Sequence, residues 1–181
     1  ILANKIEEMK QTVSLLDEKQ LNVILDKIQH ARMVQFVAVG NTIPVALDGA
    51  YKLNEIGIAS MAGSIWETQL SFAMTLGKED VQIAISNSGE SKQVVKMIRA
   101  AKKSGATIIG ITNNPNSTIA KEVDYHIQTA TREKLFMNEF CFSRVSAMTV
   151  IEILYLFLTV GQEQSYTRLS ECENLMADEK V

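Results

Sequence analysis

The segment Ser86-Asn87-Ser88-Gly89-Glu90-Ser91 concentrates chemistry that most of the chain lacks. Four of its six side chains, Ser86, Asn87, Ser88 and Ser91, can donate a hydrogen bond without carrying charge, and Gly89 lets the backbone turn tightly. It follows an apolar run, Val81 to Ile85, and leads into a helical pattern near Ser91. The free N–H groups and positive dipole end of that helix would face the same concavity. Short hydroxyls and exposed amides around a small hollow suit a phosphate monoester. A plainer role also fits Ser86 and Ser88, which could cap the helix and close the turn. A second polar loop, Gly40-Asn41-Thr42, follows another apolar run, Val34 to Val39, and favours the ligand-binding reading.

Other phosphate-binding patterns are absent. A dinucleotide fingerprint starting at Gly40 would need glycine at Thr42 and Val45, and no Gly-Lys-Ser/Thr tripeptide occurs. No nicotinamide, flavin or nucleotide cofactor is therefore expected. Cys141 and Cys172 lack the paired spacing of a zinc site, so no metal is expected either. Acid–base catalysis has few candidates. His30 falls at the end of an early helix, where a dipole interaction accounts for it, and His126 alternates with Tyr125 and Ile127 in a strand pattern. Glu67 reads as a solvated helix position, and Glu90 would repel an anion unless its side chain turns away. Glu139 opens a long apolar helix, where the dipole favours a carboxylate, and Arg132 and Lys134 precede it as solvated charges. Trp66 and the eight methionines read as interface or core.

The elements that must position these loops are legible as alternation. Apolar spacing predicts two helices over residues 1–31, with Asp17 as N-cap of the second and Gln20 as its capping-box partner. Five strands follow, at 34–39, 58–61, 81–85, 107–112 and 125–127. The intervening helices run over 43–56 (N-cap Thr42), from 63–64 to 76, over 91–104 and over 117–121. A long apolar helix spans 138–160, and a polar one 166–177. Strands alternating with helices imply a parallel sheet covered on both faces, an α/β three-layer sandwich. Residues 1–30 are expected to form N-terminal linker or dimerisation helices, and 31–181 the binding domain.

With 18 Lys+Arg against 21 Asp+Glu the 181-residue chain carries a net charge of −3, a poor balance for gripping a polyanion. Its most apolar stretch, Val145 to Val160, is interrupted by Ser146, Thr149 and Glu152 and is shorter than the roughly 20 residues of a membrane span. No membrane partner and a cytoplasmic location are expected.

Several of these segments together resemble the sugar isomerase (SIS) domain, and above all the effector domain of RpiR-type bacterial transcription regulators. They are Gly40-Asn41-Thr42, the Asp48 to Gly57 helix end with Tyr51-Lys52-Leu53, the Ser86 to Ser91 loop, Ile111-Thr112-Asn113, and the Ser143 to Tyr155 helix. The resemblance covers about residues 28–158. It implies a five-stranded parallel, flavodoxin-like sheet and a sugar phosphate ligand. Contacts would fall on Gly40, Asn41 and Thr42 of the first loop and on Ser86, Asn87, Ser88, Gly89 and Ser91 of the second. Glu139 lies close to where SIS enzymes present a carboxylate. Asn41 stands where a hydroxyl residue is common, and Ser91 replaces the more usual threonine. By the same resemblance the chain is a sensor without catalytic activity that signals allosterically, with an aldose–ketose phosphate isomerase as the alternative. It would form a homodimer, and DNA would be contacted only through a helix-turn-helix domain absent from these residues.

Overall fold

The computed structural model describes residues 2–131, 143–160 and 163–177. Two helices come first, α1 (Leu2–Ser14) and α2 (Glu18–Gln29), followed by strand β1 (Met33–Ala38). A single 3₁₀ turn at Gly40–Thr42 leads into α3 (Ile43–Glu55), β2 (Ser60–Ala62), α4 (Trp66–Ala73) and β3 (Asp80–Ile85). Then come α5 (Lys92–Lys103), β4 (Thr107–Thr112), α6 (Thr118–Glu122), β5 (Tyr125–Gln128), α7 (Val145–Val160) and α8 (Glu163–Ala177).

All five strands are parallel, in the order β2-β1-β3-β4-β5. β1 and β3 register as Val34↔Val81 through Ala38↔Ile85, so their carboxyl ends finish side by side. Strand order reverses between these two neighbours, and ligands of open parallel sheets bind in the crevice at such a point.

Because strand side chains alternate between faces, one strand feeds two cores. Phe36, Ile83, Ile85, Ile109 and Ile111 pack beneath α2, α3 and α7, joined by Ile24, Leu53, Ile151 and Leu154. Val37, Ala84 and Ile108 face the other way, against Val94, Met97 and Ile98 of α5 and Ile119 of α6. Both layers are mainly apolar, and three buried glutamines, Gln35, Gln69 and Gln82, lie on the α4–α5 side. Across the first layer Lys52 of α3 reaches Glu152 of α7 at 3.1 Å.

Several expected boundaries move, each for a local reason. β2 runs over Ser60–Ala62 rather than 58–61. The Asn54 side chain takes Ser60 by both backbone groups, at 2.8 and 3.0 Å, and sets where pairing starts. α4 ends at Ala73, short of the expected residue 76, where the Thr75 hydroxyl donates to Phe72 O at 2.8 Å. Of the helix expected over 138–160, residues 138–142 lie outside the described residues and 143 and 144 are not helical; α7 begins at Val145, with Ser143 Oγ accepting from Val145 N at 3.3 Å. Asp17 does cap α2, accepting from Gln20 N at 2.7 Å. No capping box forms there, because the Gln20 amide donates instead to His126 O at 2.9 Å. No helix among the described residues is long and apolar enough to cross a membrane.

Candidate functional site

A cavity of about 640 Å³ opens where the tips of β1, β3 and β4 converge. From the first loop it is lined by Val39, Asn41 and Thr42, and from the second by Ser86, Asn87, Ser88, Glu90 and Ser91. The two polar loops expected from the sequence therefore meet in one hollow. Thr42 Oγ1 lies 3.0 Å from Val39 O and 3.3 Å from Ile85 O, so the two strand tips are one hydroxyl apart. That position corrects the expected N-cap. Thr42 precedes α3, but its side chain caps nothing and is directed at strand carbonyls.

The serines of the second loop are arranged differently. Ser86 Oγ accepts from Gly89 N at 3.2 Å, Ser88 Oγ from Glu90 N at 3.3 Å, and Ser91 Oγ from Val94 N at 3.5 Å. Each hydroxyl thus serves the turn or the α5 N-cap as an acceptor and keeps its own proton to donate elsewhere. Capping and ligand binding, alternatives in the sequence, are compatible in the fold. Asn87 ties the loop to the start of the last core helix through Nδ2 to Ser143 O at 3.1 Å.

Gly89 and Gly40 shape the walls rather than line them. Gly89 has φ +71, and a Cβ there would stand 2.1 Å from Ser117 Oγ, so only glycine fits. Gly40 has φ +58 at the turn out of β1.

Glu90 is part of the lining, but its carboxylate is engaged by α6. Its carboxylate accepts from Thr118 N at 2.9 Å and from Thr118 Oγ1 at 2.6 Å, capping the start of α6. These bonds, aided by Lys121, hold its pKa below the usual carboxylate value. No Lys or Arg lines the cavity among the described residues. Any anion there would be held by neutral donors and by the first turn of α5.

Asn113 and Asn114 complete the lining and were not singled out as contacts from the sequence. Their signal was positional, since they follow the β4 tip beside the strand-order reversal. Asn113 N donates to Asn87 O at 2.9 Å, stitching this third loop to the second.

The histidines stand apart from the hollow. His30 is exposed, with Nδ1 3.0 Å from Asp26 O at the end of α2. His126 Nε2 lies 2.8 Å from Thr112 Oγ1, and burial pushes its pKa below the ordinary value. Glu67 is exposed on α4. Glu139, Arg132, Lys134 and Cys141 lie outside the described residues. Among the described residues no cluster of His, Cys, Asp and Glu could hold a metal ion.

The SIS domain family model matches residues 27–157, across the sheet and both polar loops. The chain belongs to the SIS domain family. An HTH-type transcriptional regulator of Caldanaerobacter subterraneus subsp. tengcongensis is 30% identical over 165 residues, 91% of this chain. The chain spans 58% of that relative's length. Among solved structures, the Vibrio vulnificus NanR protein complexed with ManNAc-6P superposes with a TM-score of 0.91 at 21% identity, covering 99% of this chain and 68% of NanR. The sugar isomerase domain of an RpiR transcription factor from Sphaerobacter thermophilus gives 0.86 at 22% identity, covering 96% of each chain. At these identities the likeness is one of fold, and the five-stranded SIS architecture expected from the sequence is the one observed.

Proposed function

We propose that this SIS domain is the sensor of a transcription regulator and binds a sugar phosphate at the tips of β1 and β3. The observation that carries the reading is a hollow that no Lys or Arg lines among the described residues, and whose three serine hydroxyls each keep a proton to donate. The phosphate sits against Ser86, Ser88 and Ser91 and the first turn of α5, with Asn87 and the Gly40, Asn41 and Thr42 loop closing around it. Gly89 shapes that cradle, and Glu139 is a further contact to the sugar. The HTH-type relative and the NanR complex with ManNAc-6P support a phosphosugar-responsive regulator.

Residues 1–30 form the dimerising N-terminal helices of a homodimer, and 31–181 the binding domain. DNA contact belongs to a helix-turn-helix domain outside these residues. Binding biases one arrangement of the loops and of the subunit contact, by no more than the ligand's differential affinity for the two arrangements. The protein acts in the cytoplasm.

Calorimetry with hexose, pentose and amino-sugar phosphates, with unphosphorylated sugars as controls, tests this reading. A phosphorylated member should bind and its unphosphorylated partner should not. Ser88→Ala should weaken binding by about 1.5–3 kcal/mol, one hydrogen bond to a charged group. Unchanged affinity removes Ser88 from the site. The competing reading, an aldose–ketose phosphate isomerase, needs an acid and a base, and neither histidine lines the hollow. Turnover of an aldose phosphate by the purified protein would establish the isomerase instead.

A further inference from the structure

β1 reaches two residues beyond its pairing with β2. Val34 N donates to Ala59 O at 2.9 Å, and the pairing ends at Phe36↔Ala62. By strand alternation the N–H and C=O of Ala38 point toward the same side as those of Val34, an edge that β2 no longer covers. Two unpaired backbone groups there would sit just before the Gly40–Thr42 loop, in the interior.

Gln69 fills that gap. On α4 and only 1% exposed, it presents its carboxamide to the strand as a further backbone unit would. Ala38 N donates to Gln69 Oε1 at 3.0 Å, and Gln69 Nε2 donates to Ala38 O at 3.0 Å. The glutamine is itself braced. Gln35 Nε2 donates to Gln69 O at 2.7 Å, and Gln82 Nε2 donates to Gln35 Oε1 at 2.9 Å. A relay of buried amides therefore runs from β3 through β1 to α4 and ends on the residue that anchors the first loop. Apolar side chains could fill the same volume without a polar group to satisfy, so the amide at position 69 answers a need at the β1 tip.

We propose that Gln69 is a positioning residue for the anion hollow, its carboxamide fixing the tip of β1 and hence where Gly40, Asn41 and Thr42 stand against the Ser86–Ser91 loop. The inference rests on reading that hollow as the sugar phosphate site.

Two variants separate positioning from plain stability. Gln69→Leu removes both bonds to Ala38 at similar volume, whereas Gln35→Leu breaks the relay and leaves the Ala38 clamp in place. Amide hydrogen exchange on the full chain without ligand should quicken in Q69L at Ala38 and over 40–42, while β3 and β4 stay protected. Q35L should leave the loop unchanged. Calorimetry with inorganic phosphate and with N-acetylmannosamine 6-phosphate should show Q69L about tenfold weaker, roughly the net worth of one hydrogen bond, and Q35L equal to wild type. Gln69→Asn, which retracts the amide by one methylene, should behave like Q69L and serves if the leucine variant does not fold. Loop exchange in both Gln69 variants matching wild type, or rising evenly across the sheet, overturns the proposal. Wild-type protein that binds neither probe nor any hexose, pentose or amino-sugar phosphate of the calorimetry panel defeats the sugar phosphate reading instead, and the exchange data still decide the positioning role.

Discussion

At Glu90 a carboxylate sits inside a loop that faces the proposed anion site, and its side chain is engaged by Thr118, whose N–H and hydroxyl both donate to it. The same residue therefore pairs its negative charge with Thr118 at the rim of the hollow and pins α6 to the loop. Its pKa is held below the ordinary carboxylate value chiefly by those Thr118 bonds. A depressed folded-state value means the contact stabilises the protein above the unfolded pKa and loses that contribution as pH falls through the folded one. Glu90→Gln should accordingly lower Tm at neutral pH, and the gap to wild type should close as the buffer is taken down to about pH 3. Thermal melts across that range decide it. A gap that stays constant into acid would mean that the charge on Glu90 contributes nothing to holding α6.

At the scale of elements, the order of strands and helices was readable because buried parallel strands are written as unbroken apolar runs such as Val81 to Ile85. Element ends were less readable, because distant or non-periodic contacts set them. β2 starts where Asn54 grips Ser60, and the Gln20 amide leaves its own helix for His126 O, a partner 106 residues away. Sequence spacing sees neither contact. The helices also carry apolar side chains the monomer leaves uncovered. Leu2, Ile6, Met9 and Val13 of α1 are 36–74% exposed, and Leu156, Phe157 and Val160 near the end of α7 are 56–70% exposed. Exposed apolar side chains on two helices, of which α1 packs against α7, are the surface on which the homodimer proposal can be tested. Sedimentation at micromolar concentration should give a dimer for the wild type. Phe157→Glu should shift it toward monomer by burying an unpaired charge. A wild-type monomer removes the homodimer.

For the molecule as a whole, the lining of the candidate site was legible where it depended on residue type and hidden where it depended on topology. Ser86 to Ser91 announced itself through hydroxyls before a helix, whereas Asn113, Asn114 and Gln69 matter because β4 and α4 arrive beside β1 and β3. The charge pattern follows the same division. The chain carries a net charge of −3, and no Lys or Arg lines the cavity among the described residues. Affinity built on exposed lysines and arginines decays as salt shortens the reach of their fields to about 10 Å at 0.1 M. Titrations of a bound sugar phosphate in dilute and in concentrated potassium chloride should superimpose here. A steep decline would show that cations outside the hollow do the holding. In the proposed role, such a hollow would let the domain report how much ligand is present while staying indifferent to the ionic weather of its surroundings.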